Sequence, residues 1–410
     1  MADSYLHLLA LHDDRIQDWI RDKSQSCKPA LYGSMDIRDS GFKAAVIDSN
    51  LYPAGFNNLS PQDWPQTSAL FKAYLSRHLP QAKRLLIIAE EHTRNTWYID
   101  HLHTLEKRLR DAGYEVLSAT FLDPKVDSVC THTFKVDLES ATKGPFEMYC
   151  LHHVLDEVEG GRQQLDAIIY NNDLTSGLPK RLRTLKIPAF PSPWGGWFQR
   201  RKSAHFIHAN ALLTELGSEL GIDPWFFTTD IAAVEGVSVN EEADRQRLAE
   251  AVAAMLDRLK AQYAQYGISE QPGLFLKADS GTYGMGVLGI SDPQDILDLN
   301  RKARNNLSKG KSAQPIVNFV LQEGIPTALD IDRQVAEPCL YLVDNQVAGA
   351  FYRLNSLKGR HENLNSQGMS FSGLSVSQNR SDAFRAYGIL AQIAGLATGL
   401  EIQELERART

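Results

Sequence analysis

Leu274-Phe275-Leu276-Lys277-Ala278-Asp279-Ser280-Gly281-Thr282-Tyr283-Gly284-Met285-Gly286-Val287 is the stretch around which this 410-residue chain is organised. An apolar run ends in a lysine and passes into a glycine-rich loop before apolar residues resume. A strand that delivers a cation and then a flexible turn to a polyphosphate has this order. Glycines let the backbone reach positive φ and let its N–H groups approach phosphate oxygens closely. The pattern is not a P-loop, because the lysine precedes the glycines and no Gly-Lys-Ser/Thr closes it; nor is it G-x-G-x-x-G. Taken alone, a glycine-rich hairpin with a surface lysine explains it equally well, so the rest of the chain decides.

A chain of this length exceeds what one core usually serves and predicts two or three packed subdomains. Its 43% hydrophobic and 23% charged residues are those of a globular protein, and a net charge of −7 argues against a general nucleic-acid binder, which needs a basic surface. The weakly polar stretch from Gly388 to Leu400 is shorter than the ~20 residues of a membrane span. Met1-Ala2-Asp3-Ser4 is polar with an acid close by, so a basic, cleavable leader is not expected there. Four scattered cysteines (Cys27, Cys130, Cys150, Cys339) do not make a disulfide framework, and all four read as structural. A reducing cytoplasm is the expected compartment; oligomeric state is left open, a homo-oligomer included.

Residues 1–30 carry a loose helical period. Ser34 to Asn50 reads as a hairpin turned at Ser40-Gly41. Asp48 and Asn50, two apart, project from one strand face, as do Asp36 and Arg38. A carboxylate and an amide oxygen side by side are what a hard divalent cation accepts, although a strand-end Asx turn also explains them. The loop Leu51-Tyr52-Pro53-Ala54-Gly55-Phe56-Asn57-Asn58-Leu59 is rich in turn formers and aromatics, as site loops are. Arg84-Leu85-Leu86-Ile87-Ile88-Ala89 suits a buried parallel strand, and with a helix through Arg110 and a strand from Tyr114 to Thr120 it makes a βαβ unit. Arg94 and Asn95 then fall at the carboxyl end of a strand, where ligands sit in open α/β sheets; helix capping and surface pairing are the alternative. Cys130-Thr131-His132 and Cys150-Leu151-His152 raise zinc, but one intervening residue is fewer than structural zinc sites favour.

Leu165 to Tyr170 is another buried strand, and Pro188, Pro191 and Pro193 mark a boundary near residue 190. Beyond it, Gln199-Arg200-Arg201-Lys202 opens a helix with three adjacent cations, from which Lys202 could reach a phosphate; a solvated basic turn is the bland reading. Residues 241–268 form an amphipathic helix, and Asp292 to Asn306 reads as another. The strand Ile316 to Leu321 ends in Gln322-Glu323. Asp344-Asn345 is a two-residue turn between the strands Cys339–Val343 and Val347–Leu354, the second ending in Arg353 and Asn355. A polar loop with Asn363 follows, and residues 381–407 read as one helix or as two broken near Gly395 or Gly399.

A lysine before a glycine-rich loop, a strand ending in Gln-Glu, and a tight hairpin returning through an arginine resemble, in this order, the ATP-grasp fold. The late Glu-x-Asn metal ligands of that fold have no convincing version in residues 370–410. The Asp48-x-Asn50 hairpin supplies one if the chain order is permuted, as in eukaryotic-type glutathione synthetases. That resemblance implies Asp279 as a further metal ligand and Lys202 as an ATP contact. More specifically, Val46 to Leu59, Glu91-His92-Thr93-Arg94-Asn95 and Lys277 to Gly286 resemble the small proteobacterial glutamate–cysteine ligase family, over roughly residues 30 to 375.

The resemblance implies an α/β fold, ATP-grasp-like and circularly permuted, with an added βαβ substrate domain. Residues 1–80 would belong to the clamp core with its metal hairpin, 81–190 to the substrate domain, 191–330 to the phosphate-binding segment and 331–410 to the arginine-bearing segment. It implies a carboxylate–amine ligase that makes γ-glutamylcysteine from glutamate, cysteine and ATP with Mg2+, through an acyl phosphate. Asp48, Asn50 and Asp279 would hold the metal. Lys202, Lys277, Gly281, Thr282, Tyr283, Gly284, Gly286, Gln322 and Glu323 would bind ATP. Arg353, Lys277 and Arg38 would act in catalysis, and Arg38, Arg94, Asn95 and Asn363 would bind substrate. Glutathione synthetase or another amino-acid ligase of this fold is the first alternative, and a non-catalytic nucleotide-binding regulator the second.

Overall fold

The computed structural model describes residues 2–92, 94–121, 134–281, 287–308 and 315–409. After two helices, Ala2–Leu11 and Asp13–Cys27, the chain lays down the antiparallel pair β1 (Tyr32–Asp39) and β2 (Ala44–Asn50). It then leaves this sheet for two others. A second sheet takes β3 (Arg84–Ala89), β4 (Glu115–Thr120), β5 (Lys135–Leu138), β6 (Phe146–Cys150), β7 (Ala167–Asn171) and β8 (Ala189–Phe190), in the order β5-β6-β4-β3-β7-β8. All its pairings are parallel except β5 with β6. Leu85 to Ala89 are fully buried, as an unbroken apolar run requires of a strand covered on both faces.

A third, antiparallel sheet takes β9 (Ile231–Val234), β10 (Leu274–Ala278), β11 (Leu288–Ile290) and β12 (Phe319–Glu323), in the order β11-β10-β12-β9. Leu274 and Leu276 point from β10 into a core with Leu248, Val252, Met255 and Leu259 of the helix Glu242–Gln265. The two-residue period of a strand therefore turns Phe275 and Lys277 to the opposite face. The chain finally returns to the first sheet with β13 (Asp330–Ile331), β14 (Gln334–Val343), β15 (Gln346–Asn355) and β16 (Met369–Leu374), in the order β16-β15-β14-β1-β2 with β13 on β14. One face of this sheet, through Met35, Ile37, Val46, Leu340 and Leu342, packs on the C-terminal helix Asp382–Arg407.

That helix is continuous, and its glycines serve close approach. A Cβ on Gly395 would stand 2.1 Å from Asn345 Oδ1, and one on Gly399 would stand 2.0 Å from the Cys27 carbonyl oxygen. The helix expected over 292–306 is two short ones, Gln294–Leu297 and Arg301–Ser308, because Asn300 accepts from Ala303 N (2.9 Å) and restarts the chain. The strand expected to span Ile316 to Leu321 begins at Phe319 and carries Gln322 and Glu323 within it.

Candidate functional site

A cleft opens where the uncovered part of the first sheet faces β10. Ser34 and Asp36 of β1, Asp48 and Asn50 of β2, Glu337 of β14 and Arg353 of β15 line one side; Lys277, Ala278 and Gly281 line the other. Lys202, at the start of the helix Lys202–Leu220, and Trp197 close one end. A β-bulge decides which side chains of β2 reach it. Asp36 pairs with Asp48 and Ile37 with Val46, leaving Ile47 unpaired between them. The extra residue lets Val46 stay in the core while Asp48 and Asn50 turn to the cleft. It also leaves the Ile47 carbonyl free to accept from Lys277 Nζ at 3.0 Å.

Charges of both signs are concentrated here. Lys202 Nζ donates to Asp48 Oδ1 in a close ion pair. Burial would raise the Asp48 carboxyl, but Lys202, Lys277 and Arg200 together hold it well below the usual range. Burial, reinforced by Lys202 and Arg38, depresses the Lys277 ammonium to about 8 against the pull of Asp48 and Glu337. Arg353 Nη1 donates to Asp36 Oδ2 (2.7 Å) and Glu337 Oε1 (2.5 Å), while its buried Nε has no acceptor among the described residues. Arg38 and Arg353 hold the Glu337 carboxyl below its ordinary value despite burial.

Behind β2, the fully buried Arg200 fixes the strand. It donates to Glu401 Oε2 (2.8 Å), the Ser49 carbonyl (3.0 Å) and Ser49 Oγ (3.2 Å). Since Ser49 lies between Asp48 and Asn50, this ties both cleft residues to the C-terminal helix.

The cleft thus gathers Asp48, Asn50, Lys202, Lys277, Gly281, Arg353 and Asn363 from the expected set. Others lie elsewhere. Arg38 is buried, with Nε on Glu337 (2.9 Å), Nη1 on the Ile325 carbonyl (3.2 Å) and Nη2 on the Glu362 carbonyl (2.5 Å), so it is a brace on the cleft-facing side of the sheet and not part of the cleft lining. Asp279 turns from the cleft to the helix Lys202–Leu220, accepting from Ser203 N (2.8 Å) and Ser203 Oγ (2.9 Å). A carboxylate at the positive end of that helix is satisfied without a metal. Glu323 takes two bonds from buried Lys43 Nζ (2.9 and 2.7 Å). Beside it, Gln322 is buried with neither amide atom partnered by the described residues. Asn95 caps the helix Thr96–Asp111 through Trp97 N and Tyr98 N, and Arg94 is exposed; neither lines the cleft. Thr282, Tyr283, Gly284 and Gly286 lie outside the described residues, as do Cys130 and His132. Cys150 is disulfide-bonded and has no thiolate to offer zinc.

Sequence reasoning missed Glu337, Asp173 and Phe371 in the cleft lining and had given Asp36 no role. The one available signal was the shared face of Asp36 and Arg38; Glu337 arrives only through pairing across 299 residues. In donor chemistry, Asp48 and Asn50 fit a hard divalent cation, and Asp36 stands directly across from Asp48. No cluster of three acidic, histidine or cysteine side chains that could hold a metal occurs among the described residues. A cation here would take the rest of its shell from phosphate and water, as Mg2+ commonly does.

Comparison with known proteins gives the family of the chain. The sequence profile of the family described as "Glutamate-cysteine ligase" matches residues 7–402. A crystal structure from Methylobacillus flagellatus KT, described provisionally as that of a gamma-glutamylcysteine synthetase, is 31% identical in sequence with a TM-score of 0.87, over 98% of this chain and 97% of that one. D-alanyl-alanine synthetase A from Vibrio cholerae O1 biovar eltor str. N16961 is 9% identical over 75% of this chain and 79% of its own, with a TM-score of 0.31, too low to bear on the fold. No curated protein matched the sequence. With its profile match running almost end to end, the chain belongs to the glutamate–cysteine ligase family, a family of ATP-dependent ligases.

Proposed function

We propose that the cleft joins the γ-carboxylate of glutamate to the amine of cysteine, in a clamp of ATP-grasp type whose chain order is circularly permuted. The observation that carries this reading is the convergence of Asp48, Asn50, Lys202, Lys277 and Arg353 from distant segments on one cleft. The permutation is supported by the first sheet, which the chain begins with β1 and β2 and completes with β13 to β16. On this reading residues 1–80 and 331–410 form one jaw, 191–330 the other, and 81–190 a substrate domain.

In the first step a glutamate carboxylate oxygen attacks the γ-phosphorus of ATP and ADP leaves. In the second the cysteine amine attacks the acyl carbon and phosphate leaves. Mg2+ held by Asp48 and Asn50 would neutralise the phosphate oxygens. Lys202 and Lys277 hold ammonium charge beside the same oxygens, and the loop after Gly281 would cover them. Arg353 presents Nε, which has no acceptor among the described residues, to the transferring phosphoryl group, its other end fixed by Asp36 and Glu337. Such preorganised donors supply most of the acceleration, since removing one typically costs ~3 kcal/mol. Gln322, buried with no partner among the described residues, is suited to the adenine edge.

The test is ADP release by the purified protein with Mg2+, comparing glutamate plus cysteine with γ-glutamylcysteine plus glycine. Release with the first pair supports the reading. Release confined to the second pair would move the chain to a glutathione synthetase activity, and release with neither would sink the proposal.

A further inference from the structure

The two amino acids joined in the proposed reaction ask different things of a pocket. Glutamate carries carboxylates at both ends, whereas cysteine ends in a small, polarisable thiol. Beyond Arg353, the cleft lining on β15 and β16 is Phe351, Met369 and Phe371, three uncharged side chains. Phe371 is 42% exposed and Met369 38%, and the Phe371 ring stands edge-on to Phe351 with centroids 5.1 Å apart. The alternation Met369-Ser370-Phe371-Ser372 makes β16 an amphipathic edge strand whose apolar face looks into the cleft instead of a core. Large apolar groups left open in a concavity mark a surface that a ligand covers.

Register then says which ligand. Phe371 lies directly opposite Arg353, and Met369 opposite Asn355. Paired residues on adjacent strands stand about 5 Å apart, so the ring is one strand spacing from the arginine assigned to the phosphoryl group. β2, which carries Asp48, is four spacings away, about 19 Å. We propose that Phe371, with Met369 and Phe351, forms the subsite for the side chain of the attacking cysteine, an assignment that rests on the reading given above. The attacking nitrogen must reach the acyl carbon beside Arg353, and the cysteine sulfur lies only three bonds from it. That places the thiol where the ring edge and thioether stand, contacts favourable to sulfur. A glutamate carboxylate seated there would trade hydration for an aromatic ring and a thioether, neither of which donates a hydrogen bond to it.

The experiment is steady-state ADP release by Phe371→Ala, Phe371→Leu and Met369→Ala, each substrate varied with the others saturating. Phe371→Ala is expected to raise the KM for cysteine roughly tenfold, the scale of a hydrophobic contact removed from a specificity pocket. The KM values for glutamate and ATP should move less than about twofold, and Phe371→Leu should restore most of the cysteine affinity. The wild-type protein should accept L-2-aminobutyrate, whose methyl replaces the thiol, at least about tenfold better than L-serine, and Phe371→Ala should narrow that ratio. A rise in the KM for glutamate would give the patch to the other amino acid, and a rise in that for ATP would give it to the base. An unchanged cysteine KM would remove the subsite altogether; each of these overturns the assignment while leaving the ligase reading intact. Failure of that reading would look different: no ADP release by the wild-type protein with glutamate and cysteine.

Discussion

Replacing Lys277 by methionine separates the binding role of this residue from its effect on stability. The side chain is 8% exposed, and its ammonium is held at about 8 instead of the 10.5 of a free lysine, chiefly by burial. Keeping it charged at pH 7 costs about 3 kcal/mol relative to the unfolded chain. Methionine keeps the length and the apolar stem while removing the charge, which lies 5.9 Å from the centre of the Phe275 ring. It also removes the hydrogen bond to the Ile47 carbonyl, about 1 kcal/mol. The variant should therefore be about 2 kcal/mol more stable than wild type at pH 7.

The pH dependence fixes the cause. Below pH 8 lysine is protonated in both states and the full cost is present. Between pH 8 and 10.5 the unfolded chain holds more protons than the folded one, so wild-type stability rises with pH. The advantage of the variant should shrink to about zero by pH 9.5. Urea unfolding of both proteins at pH 7 and 9.5, without nucleotide, measures this, and calorimetry at pH 7 should show ATP binding at least ~100-fold weaker in the variant. If Lys277→Met were less stable than wild type by the same margin at both pH values, the lysine would titrate normally and the account of an ammonium depressed by burial would be wrong.

Four further outcomes follow from the geometry. Asp279→Ala should lose about 1 kcal/mol of stability, as a missing helix cap does, yet keep its magnesium requirement. Asp48→Asn should lower turnover at least ~100-fold and raise the magnesium needed; rates titrated against Mg2+ compare the two. Glu401→Gln leaves Arg200 buried beside a neutral partner and should cost about 3 kcal/mol in unfolding experiments, because breaking one half of a buried pair is expensive. Arg353→Lys should lower kcat about 100-fold with little change in the KM for ATP, since the single nitrogen of lysine cannot bridge Asp36 and Glu337 and leave another for the phosphoryl group; single-turnover kinetics would show the loss in the chemical step.

What could be read from the sequence was what local periodicity controls. The apolar run Arg84–Ala89, the Asp344-Asn345 turn and the pair Asp48-x-Asn50 all declare themselves over a few residues. The glycines of the last helix misled, because close approach and helix termination use the same residue. Asp279 sits in a glycine-rich loop that looks like a ligand shell, but its partner is Ser203, which arrives 76 residues away in sequence. Arg38 was legible as a cation on the right strand. That Glu337 and two carbonyls would occupy its guanidinium depends on β14 lying beside β1, which no short window of sequence contains. The bulge at Ile47 was invisible for a related reason: it exists only in the register of one strand against another.

The split composition of the first sheet has a consequence for how the protein is made. β1 pairs with β14, and Arg38 meets Glu337 at a sequence separation of 299. During synthesis the hairpin of β1 and β2 therefore emerges long before β14 exists, with one edge and both faces uncovered. The second and third sheets draw their strands from contiguous segments and can close on the ribosome. Contacts of such long range form late and slowly, so the nascent chain should pass through a state with two finished sheets and a dangling hairpin. For this protein the exposed edge of β1 is the natural place for a chaperone to hold, and for aggregation to begin when none does.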